Sequence, residues 1–170
     1  APHFPYDLAG WRAAAFVAAP IPLEADGKMV VIYASVGHNI RARSWNGSAW
    51  VGGFKTAAGL TFLDFSAVGY QDEVHLAFLE TSVIRYTKYN FSTNFLRPEA
   101  IVQPWVTNSS GPVLSADSSG NLHLFWAGSP KANHIYYKKN SGGKWDASAT
   151  DWIDESGEKL AKNDALSSIY

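Results

Sequence analysis

The stretch Met29–Phe54, MVVIYASVGHNIRARSWNGSAWVGGF, holds one complete repeating unit, and the reading of the fold starts from it. It opens on an apolar run, Met29-Val30-Val31-Ile32-Tyr33, breaks at the polar Gly37-His38-Asn39, and re-enters an alternating run from Ile40 to Trp45. Asn46-Gly47 then turns the chain into Trp50. Alternation with a period of two buries one face of a strand and wets the other. Asn-Gly between two such runs favours a hairpin, because both residues accept the positive φ of a tight turn. Three antiparallel strands are predicted here.

The unit returns as Val74-His75-Leu76-Ala77-Phe78, Ile84 to Tyr89, a turn at Asn90, and Phe95. It returns again as Leu122-His123-Leu124-Phe125-Trp126, His134 to Lys138, the turn Asn140-Ser141-Gly142-Gly143, and Trp145. Ile40, Ile84 and Ile135 open the three middle strands at spacings of 44 and 51 residues. A period of roughly 40 to 50 residues with about four strands per unit is the mark of a propeller blade. The predicted fold is therefore all-β, a β-propeller-type array of four-stranded antiparallel blades. Blade 1 is expected over about 13–56, blade 2 over about 60–106 and blade 3 over about 111–154, with a partial strand at 166–170, all in one repeat domain. Residues 1–12 read as an extended leader, and Ala13 to Ala19 as the inner strand of blade 1, closed by Pro20 and Pro22. Pro98 and Pro104 place the last strand of blade 2 at a sheet edge. Lys138 to Trp145 looks like a degraded Asp box of the sialidase type, with Asn140 where the acid would be, and this turn motif signals architecture.

Three blades in a row leave open faces, since each repeat buries its apolar sides against neighbours. Self-association into a homodimer, with two chains of three blades giving six, is the economical closure. A fragment lacking its companion and a compact sheet sandwich are the other two.

Composition narrows the function. The chain has 170 residues, 46% of them hydrophobic, and a net charge of −1 with scattered Lys and Arg. It lacks the basic stripe that neutralises a phosphate backbone, so nucleic acid is not an expected partner. No apolar run approaches the roughly 20 residues of a membrane span, and the residues from Ala1 carry no signal-like leader, so Ala1 reads as a processed end. Cysteine is absent, which excludes thiol chemistry and says nothing of location. Aromatic residues reach 14%, and they serve either as blade packing or as flat platforms for sugars.

Val30 to Phe54 resembles one repeat of the fungal fucose-specific lectin family and its short bacterial relatives, whose blades read I-R-V-Y, a turn, I-x-E-x-x-W-D-G-x-G-W and then G-x-F. The match runs without a gap and includes Trp45-Asn46-Gly47 and Trp50. The resemblance implies a six-bladed propeller that binds sugars between blades, built from several chains in the short members. In that family an Arg on the second strand and a Glu on the third hold the sugar hydroxyls. Here the Arg position falls on Val31, His75 and His123, and the Glu position on Ala42, Tyr86 and Tyr137. What remains is the aromatic platform: Trp45 and Trp50 in the first repeat, Tyr89 and Phe95 in the second, Trp145 in the third.

The expected function is thus non-catalytic, lectin-like binding of glycans or glycoproteins, without cofactor or metal. The candidate ligand-binding residues are Trp45, Trp50, Arg41, Arg43, Arg85, Tyr89 and Trp145. Arg41 and Arg43, two apart, project from one face of a strand and are placed to clamp an anionic sugar, although edge protection explains them equally well. His75 and His123, at equivalent positions, read as hydrogen-bonded structural histidines. One alternative is an immunomodulatory or protein-interaction module that uses every aromatic in its core. Another is a fragment of a sialidase-like hydrolase using Asp64 or Asp117, against which the five scattered Arg weigh. Asn46, Asn90 and Asn108 head acceptor sequons, the first two at predicted turns, which have meaning only in a secretory setting and lean the chain slightly toward an extracellular one.

Overall fold

The apolar run after Met29 becomes a strand buried on both faces, with Val30, Val31 and Ile32 all inside. The computed structural model describes residues 21–22, 29–35, 39–55, 62–90, 95–96, 100–106, 110–128 and 134–151. Among them every regular element is a strand, and the strands form three antiparallel sheets.

The first sheet runs β1 (Ile21–Pro22), β2 (Met29–Ser35), β3 (Asn39–Trp45) and β4 (Trp50–Lys55), each strand bonded to the next. The second runs β5 (Phe62–Tyr70), β6 (Glu73–Glu80), β7 (Val83–Asn90) and β8 (Phe95–Leu96), with β9 (Ala100–Gln103) also paired to β7. The third runs β10 (Ser110–Ala116), β11 (Leu122–Ala127), β12 (Ile135–Ser141) and β13 (Lys144–Trp145), with β14 (Thr150–Asp151) also on β12. Sequential four-strand meanders recurring along the chain are the propeller-type repeat expected from the alternating runs.

The described residues add two details. In the first sheet Ile21 and Pro22 pair with Val30 and Met29, while Ala13 to Ala19, the predicted inner strand, lie outside the described residues. So do the leader, the Asp26-Gly27 turn, Asn108, Trp152 and 166–170. The outer strands of the second and third sheets come in two short pieces. In the second, Pro98 falls between the pieces, where a missing N–H would break a ladder. In the third, Gly142 and Gly143 make the turn at φ +61° and +84°, and the chain leaves β12 after Trp145 to return at Thr150.

The contacts divide the chain into two compact units. One comprises the described residues within 1–61, 69–75 and 88–97, and the other those within 62–68, 76–87 and 98–170. In the second unit a single apolar core joins Leu114, Leu122, Leu124, Trp126 and Tyr136 of the third sheet to Leu79, Ile84, Tyr86, Val102 and Val106. Lys138 is buried at the edge of this core and donates from Nζ to the Val102 carbonyl at 2.9 Å. Burial holds its pKa below that of an ordinary lysine. Leu114 N–H donates to Ser66 Oγ at 3.0 Å, which ties β10 to β5.

Candidate functional site

In β3 the alternation sorts the side chains as the sequence requires. Ile40, Ala42 and Ser44 are buried, while Arg41 and Arg43 are exposed and Trp45 is half-buried. Residues directly opposite in an antiparallel pair share a face. On one side Arg41 stands across from Tyr33, Arg43 from Val31 and Trp45 from Met29. On the other, Arg41 stands across from Lys55, Arg43 from Gly52 and Trp45 from Trp50. One face of the first sheet therefore carries Arg41, Arg43, Trp45 and Trp50 together.

The local chemistry holds that face in shape. Asn46 Oδ1 accepts hydrogen bonds from the N–H groups of Ser48 (3.0 Å) and Ala49 (2.9 Å), so the side chain itself builds the loop between β3 and β4. Gly47 supplies a φ of +100° that a β-carbon would oppose. The loop brings the Trp45 and Trp50 rings to 5.6 Å between centroids at an interplanar angle of 58°. The register then slips between Arg41 and Arg43, the bulge falling on β4 around Gly52-Gly53, and the glycine opposite Arg43 sets no side chain beside the guanidinium. Among the described residues neither arginine has a carboxylate in ion-pair range. The arrangement offers apolar ring faces and two fixed forks of N–H donors on one surface.

The other three sequence candidates lie elsewhere. Arg85 is ion-paired with Glu80, both partly buried, so its donors are engaged within the protein. Tyr89 is 4% exposed, and burial raises the pKa of its hydroxyl. Trp145 packs edge-on against Tyr86 at 5.3 Å beside the core of the second unit, and its buried Nε1 has no hydrogen-bond partner among the described residues. These aromatic positions look alike in sequence because every blade repeats the same turn.

At the positions where the fucose-specific pattern has Arg, Val31 and His75 are buried and His123 is tied into a network. His123 Nδ1 lies 2.8 Å from Tyr137 Oη, and its Nε2 lies 3.2 Å from Asp117 Oδ2. Asp117 Oδ2 also accepts from the Asn121 side chain, and Oδ1 from the Ser119 and Asn121 N–H groups. These bonds, the Asn121 amide first among them, hold the Asp117 carboxyl far below the usual carboxylate range. Asp117 therefore organises its turn. Asp64 accepts from Phe65 N–H at 2.8 Å, while burial pushes its carboxyl up. No group of three or more His, Asp or Glu among the described residues is arranged to hold a metal ion.

One residue was not singled out by the repeat pattern. Trp105, directly after Pro104, is 81% exposed and has a φ of +59°. Its only sequence signal is an aromatic placed after a proline at a strand end, which by itself marks a turn and not a platform.

No protein-family model matches the chain, and no curated protein matches it in sequence. Among solved structures it is similar to AofleA from Arthrobotrys oligospora, at 10% identity and a TM-score of 0.58. The similarity covers 81% of this chain and 42% of that one, so the chain spans well under half the length of the structure it matches. At this identity the likeness speaks for the fold, an all-β chain of propeller-type antiparallel repeats, and the ligand has to be argued from the residues.

Proposed function

We propose that the chain is a non-catalytic carbohydrate-binding protein whose glycan site is the face carrying Arg41, Arg43, Trp45 and Trp50. The observation behind this is the convergence of two exposed guanidiniums with a tilted pair of indoles around a glycine-lined bulge. A pyranose ring has an apolar C–H face that suits an indole, and hydroxyls at its rim that suit charged N–H donors. The resemblance of Val30 to Phe54 to a fucose-specific lectin repeat supports the same class of ligand. Since Val31 and Ala42 stand where that pattern has Arg and Glu, the grip here comes from Arg41 and Arg43 instead. Two arginines on one face, their Cα atoms about 7 Å apart along the strand, favour a sugar that carries a carboxylate.

A printed glycan array competed with free sugar tests the proposal. Arg43→Ala and Trp50→Ala are each expected to weaken the strongest signal by about tenfold. Arg43→Ala should leave the melting temperature within error, because the side chain is exposed and unpaired among the described residues. A parent protein that gives no competable signal on any sugar would sink the proposal. The second reading, a protein-interaction or immunomodulatory module, is favoured by the use of Tyr86, Tyr89, Trp126 and Tyr136 as buried packing.

The same proposal has two copies associate. The similarity that takes up 81% of this chain leaves more than half of AofleA unmatched, a length that a second copy would supply. Light scattering is expected to give the mass of a dimer, about 37 kDa from a chain of 18.5 kDa. A stable monomer would remove self-association and leave the sugar site to be judged by the array.

A further inference from the structure

We infer that Trp105 is a second sugar-stacking platform, taking one pyranose ring of a glycan, and that the chain therefore binds glycans at two sites. This rests on the carbohydrate-binding reading of the Arg41 to Trp50 face, and adds a site that the repeat pattern does not contain.

Two rules of folding are broken at this one residue. A tryptophan gains most from burial, yet the indole is 81% exposed, whereas Trp126 is fully buried and Trp45, Trp50 and Trp145 are partly so. Its φ of +59° lies in the left-handed region, where a β-carbon is crowded and glycine or asparagine is the ordinary choice. Strain kept in a native structure together with a large exposed ring is what a binding residue shows, because its energy is recovered on the ligand.

The surroundings enforce the conformation. Val102 and Val106 are buried on either side of the turn. Val102 carbonyl accepts from Lys138 Nζ at 2.9 Å, and Val106 N–H donates to the Ser82 carbonyl at 2.7 Å. Between them the Gln103 side-chain amide donates to the Pro104 carbonyl at 3.1 Å, and Pro104 fixes its own φ. The ring is thus presented on a braced loop, which keeps the ordering cost of binding small.

The residues of the neighbouring turn suit a sugar. Val106 N–H is bonded to the Ser82 carbonyl in the Thr81–Ser82 turn between β6 and β7, where Thr81 is exposed and Ser82 half-exposed, so the turn next to Val106 carries two hydroxyl residues. The Arg85–Glu80 ion pair spans the same turn. Ile101, the other strongly exposed apolar side chain of this edge, is paired across from Arg85, four residues earlier in the chain. A single exposed indole next to a turn of hydroxyl residues matches one pyranose face better than it matches the extended apolar patch of a protein interface.

The test uses the full chain on a printed array of neutral and sialylated oligosaccharides, comparing the parent with Trp105→Gly and Trp105→Phe. Glycine accepts the left-handed backbone and gives up no buried ring, so Trp105→Gly should melt no lower than the parent while losing about tenfold in signal on at least one class of oligosaccharide. Trp105→Phe should retain part of that signal. The parent is expected to keep binding through Trp105 when Trp50 is replaced by Ala. If the parent binds and Trp105→Gly binds equally well, the second platform is wrong and the Arg41 to Trp50 face stands. A parent without any competable signal overturns both. If Trp105→Gly keeps its array signal but changes the light-scattering mass, the indole belongs to a contact between copies and the inference fails.

Discussion

Replacing Gly111 with alanine is expected to destabilise the protein by about 3 kcal/mol, from a single added methyl group. Gly111 lies on β10 with an ordinary negative-φ or extended backbone, since it is absent from the positive-φ glycines, so its conformation does not demand glycine. Propensity alone would make alanine in a strand favourable by roughly 0.5 kcal/mol. Sterics outweigh that. A β-carbon at Gly111 would fall on the carboxylate and Cβ of Asp64, which stands on β5 of the neighbouring sheet within the same unit. Asp64 has a short side chain with little room to yield, for its Oδ1 accepts from Phe65 N–H and it is already partly desolvated. The strands cannot drift apart without cost, because Leu114 N–H would lose Ser66 Oγ.

Urea titration checks this. The midpoint should fall with the slope unchanged, as for a pure loss of stability. Asp64→Gly, which removes the Cβ as well as the carboxylate, in the Gly111→Ala background should return most of the loss, with a coupling of about 1 to 3 kcal/mol in the double-mutant cycle. A Gly111→Ala protein as stable as the parent, or one that Asp64→Gly does not rescue, would show that β5 and β10 are not held this closely.

The second large effect is a loss of about 3 kcal/mol of unfolding free energy on acidification from pH 6.5 to pH 4. His75 is 6% exposed on β6, and burial holds its imidazole pKa down at about 4, against the pull of the Glu73 carboxylate 3.8 Å away and with a further push from Lys88. Between pH 6.5 and 4 the unfolded chain binds a proton at this histidine that the folded chain refuses. Stability from the neutral ring is therefore complete above pH 6.5, falls as pH drops, and is fully lost near pH 4. His75→Gln should flatten that part of the profile.

Glu73 adds a lower step. Burial by itself would raise its carboxyl, but Lys88 Nζ, 2.7 and 2.8 Å from its two oxygens, together with Asn90 carries it below the ordinary value. Its contribution is present above the unfolded pKa of about 4.5 and is lost as pH falls through the lower, folded value. Urea midpoints at pH 7, 5.5 and 4.5 follow the His75 step, and a further midpoint at pH 3 brings in that of Glu73. A parent profile that stays flat between pH 6.5 and 4.5 would mean that His75 is solvated.

Much of the first sheet was legible in the sequence because local rules act there. The apolar run Val30-Val31-Ile32 reads as a strand, and the structure makes it one with all three side chains buried. The alternation from Ile40 to Trp45 assigns Arg41 and Arg43 to the outer side before any coordinate is known, since successive side chains must leave a strand on opposite faces. Asn46-Gly47 announces the loop that pairs Trp45 with Trp50. Within β7 the same alternation could not tell that Tyr89 is covered and Arg85 engaged by Glu80, because a second layer of packing decides both.

The sequence by itself determined which residues could form strands, where they turn, and which side chains share a face, for these depend on dihedral preference and on a period of two. The tertiary structure decided which faces are covered and which backbones touch. Gly111 meets Asp64 across 47 positions of chain, and Trp105 is turned outward because Val106 is anchored to Ser82 and Val102 to Lys138. Neighbours distant in sequence set those outcomes, through excluded volume and through backbone groups that must find partners once water is gone.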